Sequence, residues 1–474
     1  MSADSARTDQ PIRRRVSLLS SLHELDPSPR KFMVFQLFNV ISWQCLAGAV
    51  AILFARAIDM PPSWVGWLIS FLPLSTLLVV TTVPLVTRLG PKRLMLCTWL
   101  VRNLIICAVF FMPWALDHWG FRAGWYVLLA ATLGFCVVRA LGVGGWFPWV
   151  HEMVPERQRG VYFSAETSIA RLVTIGVALT QGLVLVGNPG VNRYLAIYVV
   201  GVAAGLVSVW CMASVPGGKA LEASLSLRRS FATYKTPLTD RAYMVFAVTA
   251  MGCFSALAWL TSAYVLYMRD MLGLSSGSIM VVTAVANAFP LLTIRAWARF
   301  ADHSGSGRAM SKALLAHSLV ALSFLAIVPG HPGVYLMLVP AIVLTNVFYA
   351  AFWMAAQRAM LFYVQPEGRV SYTNLWMLIT AIATGITPIL AGAIIDRWML
   401  NGFRACFGLS GVLGLAGAVA CRWAVRDGAP LGDSLSNLLN PVMPLRVLAR
   451  VVWITVGMHE SNRAADTTDT ASLP

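Results

Sequence analysis

The sequence predicts an all-α membrane protein of twelve transmembrane helices in two pseudo-symmetric six-helix bundles. Three observations predict it. Charged residues make up 12% of the 474-residue chain and apolar residues 58%, whereas soluble domains carry roughly 25% charge. Twelve apolar windows follow one another, each able to cross about 30 Å of hydrocarbon as a helix, since about 20 residues suffice at about 1.5 Å per residue. The second six windows also repeat features of the first six at a nearly constant spacing.

The windows of the first half are 32–55, 62–87, 94–116, 123–150, 161–187 and 194–216. Those of the second are 242–268, 276–298, 311–328, 334–357, 371–395 and 405–425, with 311–328 the shortest. Pro61-Pro62, Asn188-Pro189-Gly190, Pro216-Gly217-Gly218 and Pro329-Gly330-His331-Pro332-Gly333 supply turn chemistry between them. Pro73, Pro290 and Pro388 fall inside spans and are expected to kink them. Gly385 and Gly392 flank Pro388, which leaves two readings of span eleven: a flexing element, or close helix packing through small residues.

The repeat is most visible in a short loop. Thr87-Arg88-Leu89-Gly90-Pro91-Lys92-Arg93 returns 215 residues later as Asp302-His303-Ser304-Gly305-Ser306-Gly307-Arg308. Val34-Phe35 answers to Val245-Phe246, and Pro155-Glu156 to Pro366-Glu367, both at an offset of 211. The expected organisation is a basic tail 1–31, a six-helix bundle 32–216, a linker 217–240, a second bundle 241–426 and a tail 427–474. Two parallel halves related by an axis along the membrane normal place a cavity at their interface near the midplane, an alternating-access layout.

The net charge of +16 tracks the membrane rather than a nucleic acid. Of the 36 Lys and Arg residues, 26 fall on the side shared by the termini, 6 in the opposite loops and 4 inside spans. By the positive-inside rule both termini are expected in the cytoplasm, in an inner or plasma membrane. The segment 1–31 has no apolar core of signal-peptide type. Val442–Met458 is apolar but carries Arg446 and Arg450 one turn apart, as expected of an interfacial helix whose arginines snorkel toward anionic headgroups.

All eight cysteines lie in apolar segments without Cys-x-x-Cys or histidine partners, and they read as small core residues rather than disulfides or metal ligands. No phosphate-cradling Gly-x-x-x-x-Gly-Lys-Ser/Thr loop and no nucleophile-base constellation occurs. An enzyme, a cofactor and a metal are therefore not expected.

Several stretches resemble the major facilitator superfamily. Val83–Arg93, and more closely Ala298–Arg308, are similar to its loop between helices two and three; Arg139-Ala140-Leu141-Gly142-Val143-Gly144 is similar to its helix-four motif, and Trp149–Phe163 to its loop before helix five. The resemblance covers residues 32–426 and implies a secondary transporter without ATP. It also implies a conformational latch at Arg88, Gly90, Asp302, Gly305 and Arg308. In this family the loop carboxylate is thought to sit near a helix start in the opposite half, where a negative charge is favoured by about 0.3 to 1 kcal/mol. Thr87 replaces that carboxylate in the first copy, so only Asp302 can latch. The Gly-Pro motif of helix five in drug/proton antiporters is absent at Ile175-Gly176-Val177-Ala178.

Polar residues inside spans are the candidates for chemistry, because each charge there costs about 2.5 to 3.5 kcal/mol and should face the bundle interior. They are Arg102 and Asn103 in span three, Arg139 in span four, and Glu166 and Arg171 in span five. Glu166 pairs structurally with one or two arginines, or the arginines leave a positive cavity suited to an anion. Arg102 maps at 215 onto His317, whereas Arg139, Glu166 and Arg171 map at 211 onto Ala350, Met377 and Ile382. The unrepeated Arg139 is thus the first candidate for solute binding or proton coupling. Gln36, Asn39 and Trp43 share one helix face, either as core hydrogen-bonding groups or as a cavity lining. His317 reads as packed rather than as a proton relay.

These residues predict a monomeric carrier, surrounded by lipid, of a small organic solute, with a tilt toward anions and with Glu166 as the titrating carboxylate if protons couple. The alternative is a non-transporting assembly factor or sensor of the same fold.

Overall fold

The computed structural model describes residues 26–155, 158–187, 189–219, 233–331, 333–365 and 368–426. The expected basic tail up to residue 25, most of the linker, the Val442–Met458 helix and the Glu156 and Pro366-Glu367 anchors lie outside the described residues.

Among the described residues, twelve helices are long and apolar enough to cross a membrane. The first six are α1 (Pro27–Ala57), α2 (Pro62–Thr82), α3 (Pro91–Trp119), α4 (Phe121–Val143), α5 (Ala165–Val184) and α6 (Val191–Ala213). The second six are α7 (Arg241–Asp270), α8 (Ser276–Ser304), α9 (Ser306–Ala326), α10 (Val334–Tyr363), α11 (Ser371–Trp398) and α12 (Leu400–Ala424). Each answers to one apolar window. Twelve crossings bring the start of α1 and the end of α12 to the same side, the terminal face; the other is the distal face.

Departures from the windows have local causes. The fourth window reaches residue 150, but α4 stops at Val143 and a separate helix, Trp146–Met153, follows. Gly144 and Gly145 occupy the break; a Cβ on Gly144 would meet Thr82 Oγ1, and one on Gly145 would lie 2.9 Å from the Pro91 carbonyl oxygen. The end of α4 can approach α2 and α3 only without side chains there. After Pro73, α2 keeps α-helical form only to Ser75 and continues as a 3-10 stretch over Thr76–Thr82. Pro290 and Pro388 instead sit within uninterrupted helices.

The duplication is visible in backbone angles. Gly90 and Gly305, 215 residues apart in the loop repeat, adopt φ/ψ of 80/147° and 88/153°. Each closes one helix through its N–H, to Val86 O at 3.0 Å and to Ala301 O at 2.9 Å, and opens the next. That positive φ is open to glycine and strained for other residues.

Within the first half, α1 packs against α5 and α6, and α4 against α2 and α3. In the second half α7 packs against α11 and α12, and α10 against α8 and α9. Two seams join the halves, α2 with α11 and α5 with α8. Small residues make both seams close. A Cβ on Gly66 would lie 2.4 Å from Pro388 O, one on Gly392 2.4 Å from Pro62 O, and one on Gly277 2.6 Å from Gly182 O. Of the two readings of Gly385 and Gly392, these contacts are those of close packing.

The cysteines are free thiols, six of them buried, as core residues should be. Cys97 is exposed and Cys107 half-exposed on α3 and its continuation, so those two depart from the core reading. Both sit on a spanning helix whose outer side needs only to be apolar.

Candidate functional site

The helices that lie between the two seams are fixed by packing. In the first half α1 touches α5 and α4 touches α2, so α1 and α4 fill the space between the seam helices; α7 and α10 do so in the second half. The sides of these four helices turned toward the opposite half therefore border the interior between the halves.

On the first-half wall the structure brings together five of the sequence candidates. Asn39 is the hub. Its Oδ1 accepts from Arg102 Nη2 at 2.7 Å and from Trp99 Nε1 at 2.9 Å, and its Nδ2 donates to Gln36 Oε1 at 3.4 Å. One turn on, Trp43 lies under the Arg139 guanidinium, 4.8 Å from ring centre to Cζ. The i, i+3, i+7 spacing of Gln36, Asn39 and Trp43 places all three on the same face of α1.

The two arginines differ in depth. Arg102 is 1% exposed, stacked over Trp99 at 4.2 Å and Phe135 at 5.0 Å, and its Nε has no hydrogen-bond partner. Arg139 is half-buried. Neither is paired with a carboxylate among the described residues. A guanidinium stacked on a ring uses its face and keeps its in-plane N–H fork for an acceptor. Arg102 spends part of that fork on Asn39; the fork of Arg139 makes no hydrogen bond among the described residues.

Other candidates stand apart. Asn103 is buried and donates to Trp99 O at 2.8 Å, with its unpartnered Oδ1 aimed at α6, where a Cβ on Gly205 would meet it at 2.3 Å. Glu166 is half-buried on α5 and forms no ion pair with Arg102, Arg139 or Arg171. Arg171, also half-buried, joins no described ion pair. His317 is 0% exposed in α9, and neither ring nitrogen has a partner.

The loop residues separate similarly. Asp302 Oδ1 accepts from Arg358 Nε at 3.1 Å, and Arg358 Nη1 donates to Ser306 Oγ at 2.7 Å. This contact ties the loop to the end of α10 in its own half. In the first copy Arg88 is exposed, and the loop is held by Lys92 Nζ on Val215 O at 2.5 Å.

Sequence reasoning missed three sets of residues. Trp99 and Phe135 cradle Arg102, and one turn of helix from Arg102 and Arg139 would have located them. At the distal face Arg56 Nε meets Asp270 Oδ1 at 3.0 Å across the two halves. Nearby, Ser63 Oγ donates to Asp396 Oδ2 at 2.6 Å, Tyr194 Oη to Ser276 Oγ at 2.8 Å, and Gly277 N to Leu185 O at 3.1 Å. All of these join first half to second half at distal helix ends. Third, α10 carries Asn346, Tyr349 and Trp353 on the face that the repeat relates to Arg139.

The Major Facilitator Superfamily model matches residues 259–458. No curated protein matches the chain. Among solved structures, a bacterial homologue of the iron transporter ferroportin, in an inward-facing state, superposes with a TM-score of 0.66 at 14% identity, covering 86% of this chain and 100% of that one. A substituted form of the nucleoside transporter NupG gives 0.65 at 12% identity, with 84% and 100% covered. A D-xylose-proton symporter gives 0.63 at 13% identity, with 87% and 99% covered. At these identities the likeness is one of fold. The family model thus covers much of the second half of the chain, and the solved structures share its duplicated twelve-helix fold.

Proposed function

We propose that the chain is a secondary transporter that moves a small organic anion across the inner or plasma membrane by alternating access, with both termini in the cytoplasm. One observation carries the anion reading: Arg139 is held over Trp43 beside the buried Arg102, and no carboxylate neutralises either guanidinium among the described residues. A buried positive charge without a counter-ion, as at Arg102, costs several kcal/mol in principle. An anionic solute arriving at the N–H fork of Arg139 recovers part of that cost, which gives the solute a reason to bind at this depth.

Closure of the distal end supports the alternating-access part. With the distal helix ends joined, a site between the seams is reached from the terminal face, which the charge distribution assigns to the cytoplasm. Glu166, half-buried and without an ion pair among the described residues, is the group for proton coupling in this reading. Asp302 holds the second-half loop to Arg358 in this conformation and exchanges that partner when the halves rock.

The test is flux of a panel of radiolabelled carboxylates into proteoliposomes, with and without a proton gradient. Saturable uptake that disappears in Arg139→Ala, with expression and melting temperature retained, is the expected result. Unchanged uptake in that variant overturns the assignment of Arg139, and binding without flux points instead to a sensor or assembly factor.

A further inference from the structure

The second-half wall opposite Arg139 has chemistry of its own. An offset of 211 puts Arg139 of α4 on Ala350 of α10, and burial supports that register: Ala131, Thr132, Cys136 and Ala140 are buried, as are Ile342, Val343, Val347 and Ala351. The partly exposed positions around Ala350 are Asn346, Tyr349 and Trp353, which recur at helical spacing on the face that borders the interior. They present two rings and an amide, with no charge.

The rings are arranged as a platform. Tyr349 and Trp353 lie 6.5 Å apart at 12° from parallel, and Phe254 of α7 braces Trp353 edge-on at 5.1 Å. Trp353 is 37% exposed. Among the described residues, neither the Tyr349 hydroxyl nor the Trp353 N–H has a hydrogen-bond partner. Buried or half-buried tyrosine and tryptophan normally find such partners. Two near-parallel rings with idle polar edges, across the interior from an idle guanidinium fork, are the parts of one amphipathic subsite.

We propose that the anion carried is an aromatic carboxylate, its charged group on Arg139 and its flat ring against Tyr349 and Trp353. This rests on the transport reading above and deepens it. A saturated acid of equal charge satisfies Arg139 but gains no quadrupole-matched stacking on the rings. A hydrophilic acid leaves the platform facing water. The asymmetry between the walls also orients the solute, with its charge toward the first half and its ring toward the second.

The experiment measures half-inhibition of uptake, and ligand-induced shifts in melting temperature, on the full-length chain in proteoliposomes and detergent. The probes are three pairs of acids: benzoate with cyclohexanecarboxylate, phenylacetate with cyclohexylacetate, and 1-naphthoate with its decahydro analogue. The aromatic member of at least one pair is expected to compete about tenfold better, as two stacking contacts imply. In Tyr349→Leu and Trp353→Leu that ratio should fall toward one, and in Arg139→Gln neither member should bind. No aromatic preference in any pair, or a preference that survives both α10 variants, overturns the ring assignment and leaves the anion transporter standing. No carboxylate of either series binding or moving overturns the transport reading itself.

Discussion

Arg56 at the distal end of α1 and Asp270 at the distal end of α7 form an ion pair across the two halves, Nε to Oδ1 at 3.0 Å, with side chains 21% and 11% exposed. Arg56 Nη1 also donates to Met60 O at 2.5 Å, so the guanidinium is fixed by its own loop before it reaches across. The pair belongs to the closed distal end alone, because separating the halves there must break it.

Neutralising either partner should therefore favour distal opening. For a partly exposed pair the expected bias is about 1 kcal/mol, roughly a fivefold shift in the ratio of closed to open states. Hydrogen–deuterium exchange in nanodiscs over residues 271–280 should rise in Arg56→Gln and in Asp270→Asn, and return toward the parent level in the charge-reversed double variant. Equal exchange in all four proteins means that the pair holds nothing closed.

The α2–α11 seam supplies a second lever. Gly392 faces Pro62 O and Gly66 faces Pro388 O, in each case 2.4 Å from where a Cβ would stand, and in each case against backbone rather than a flexible side chain. Gly392→Ala must push the helices apart, at a cost of about 1 to 3 kcal/mol typical of overpacking. The expected phenotype is a lower melting temperature with distal residues more open to exchange. At Gly408, where a Cβ meets nothing within 4 Å, the same substitution should be silent. Equal melting temperatures for the two variants would count against tight packing at this seam.

The architecture was legible in the sequence because its causes are local and repeated: apolar length sets each helix, and glycine at positions 90 and 305 sets equivalent turns. The cluster on the first wall was half legible. Arg102, Arg139, Gln36, Asn39 and Trp43 stand out as polar or aromatic groups at helical spacing in apolar segments, but nothing in a linear pattern says that Asn39 rather than Glu166 receives the Arg102 guanidinium. That choice depends on how α1, α3 and α5 rotate against one another. The second wall was hidden for a different reason. Tyr349 and Trp353 look like ordinary lipid-facing aromatics, and only the register linking Arg139 to Ala350 turns their face inward. Arg56 and Asp270 read as loop charges until the halves are placed together.

Glu166 tests coupling separately from recognition. Among the described residues it forms no ion pair on α5, so neutralising it breaks no described salt bridge. Glu166→Gln should fold normally and still exchange labelled solute for unlabelled solute across the bilayer. Its net uptake should no longer respond to an imposed proton gradient. If the variant responds as the parent does, protons are either not coupled or are carried elsewhere.

Asn39 offers the sharpest separation of structure from charge. Its Oδ1 accepts from both Arg102 and Trp99, so a carboxylate in the same place keeps both bonds, gives up only the long 3.4 Å bond to Gln36 and adds a counter-charge. Asn39→Asp should therefore leave the melting temperature unchanged or raise it, since a charge-assisted bond replaces a neutral acceptor at Arg102. The same change cancels much of the positive field behind Arg139, and anion affinity should fall by about tenfold, or about 1.4 kcal/mol. Asn39→Leu removes the shared acceptor and leaves a buried guanidinium and an indole N–H without it, at about 1 to 3 kcal/mol each, so it should lower stability. A stable Asn39→Asp protein with undiminished anion uptake would show that the uncompensated charge of Arg102 plays no part in recognising the solute.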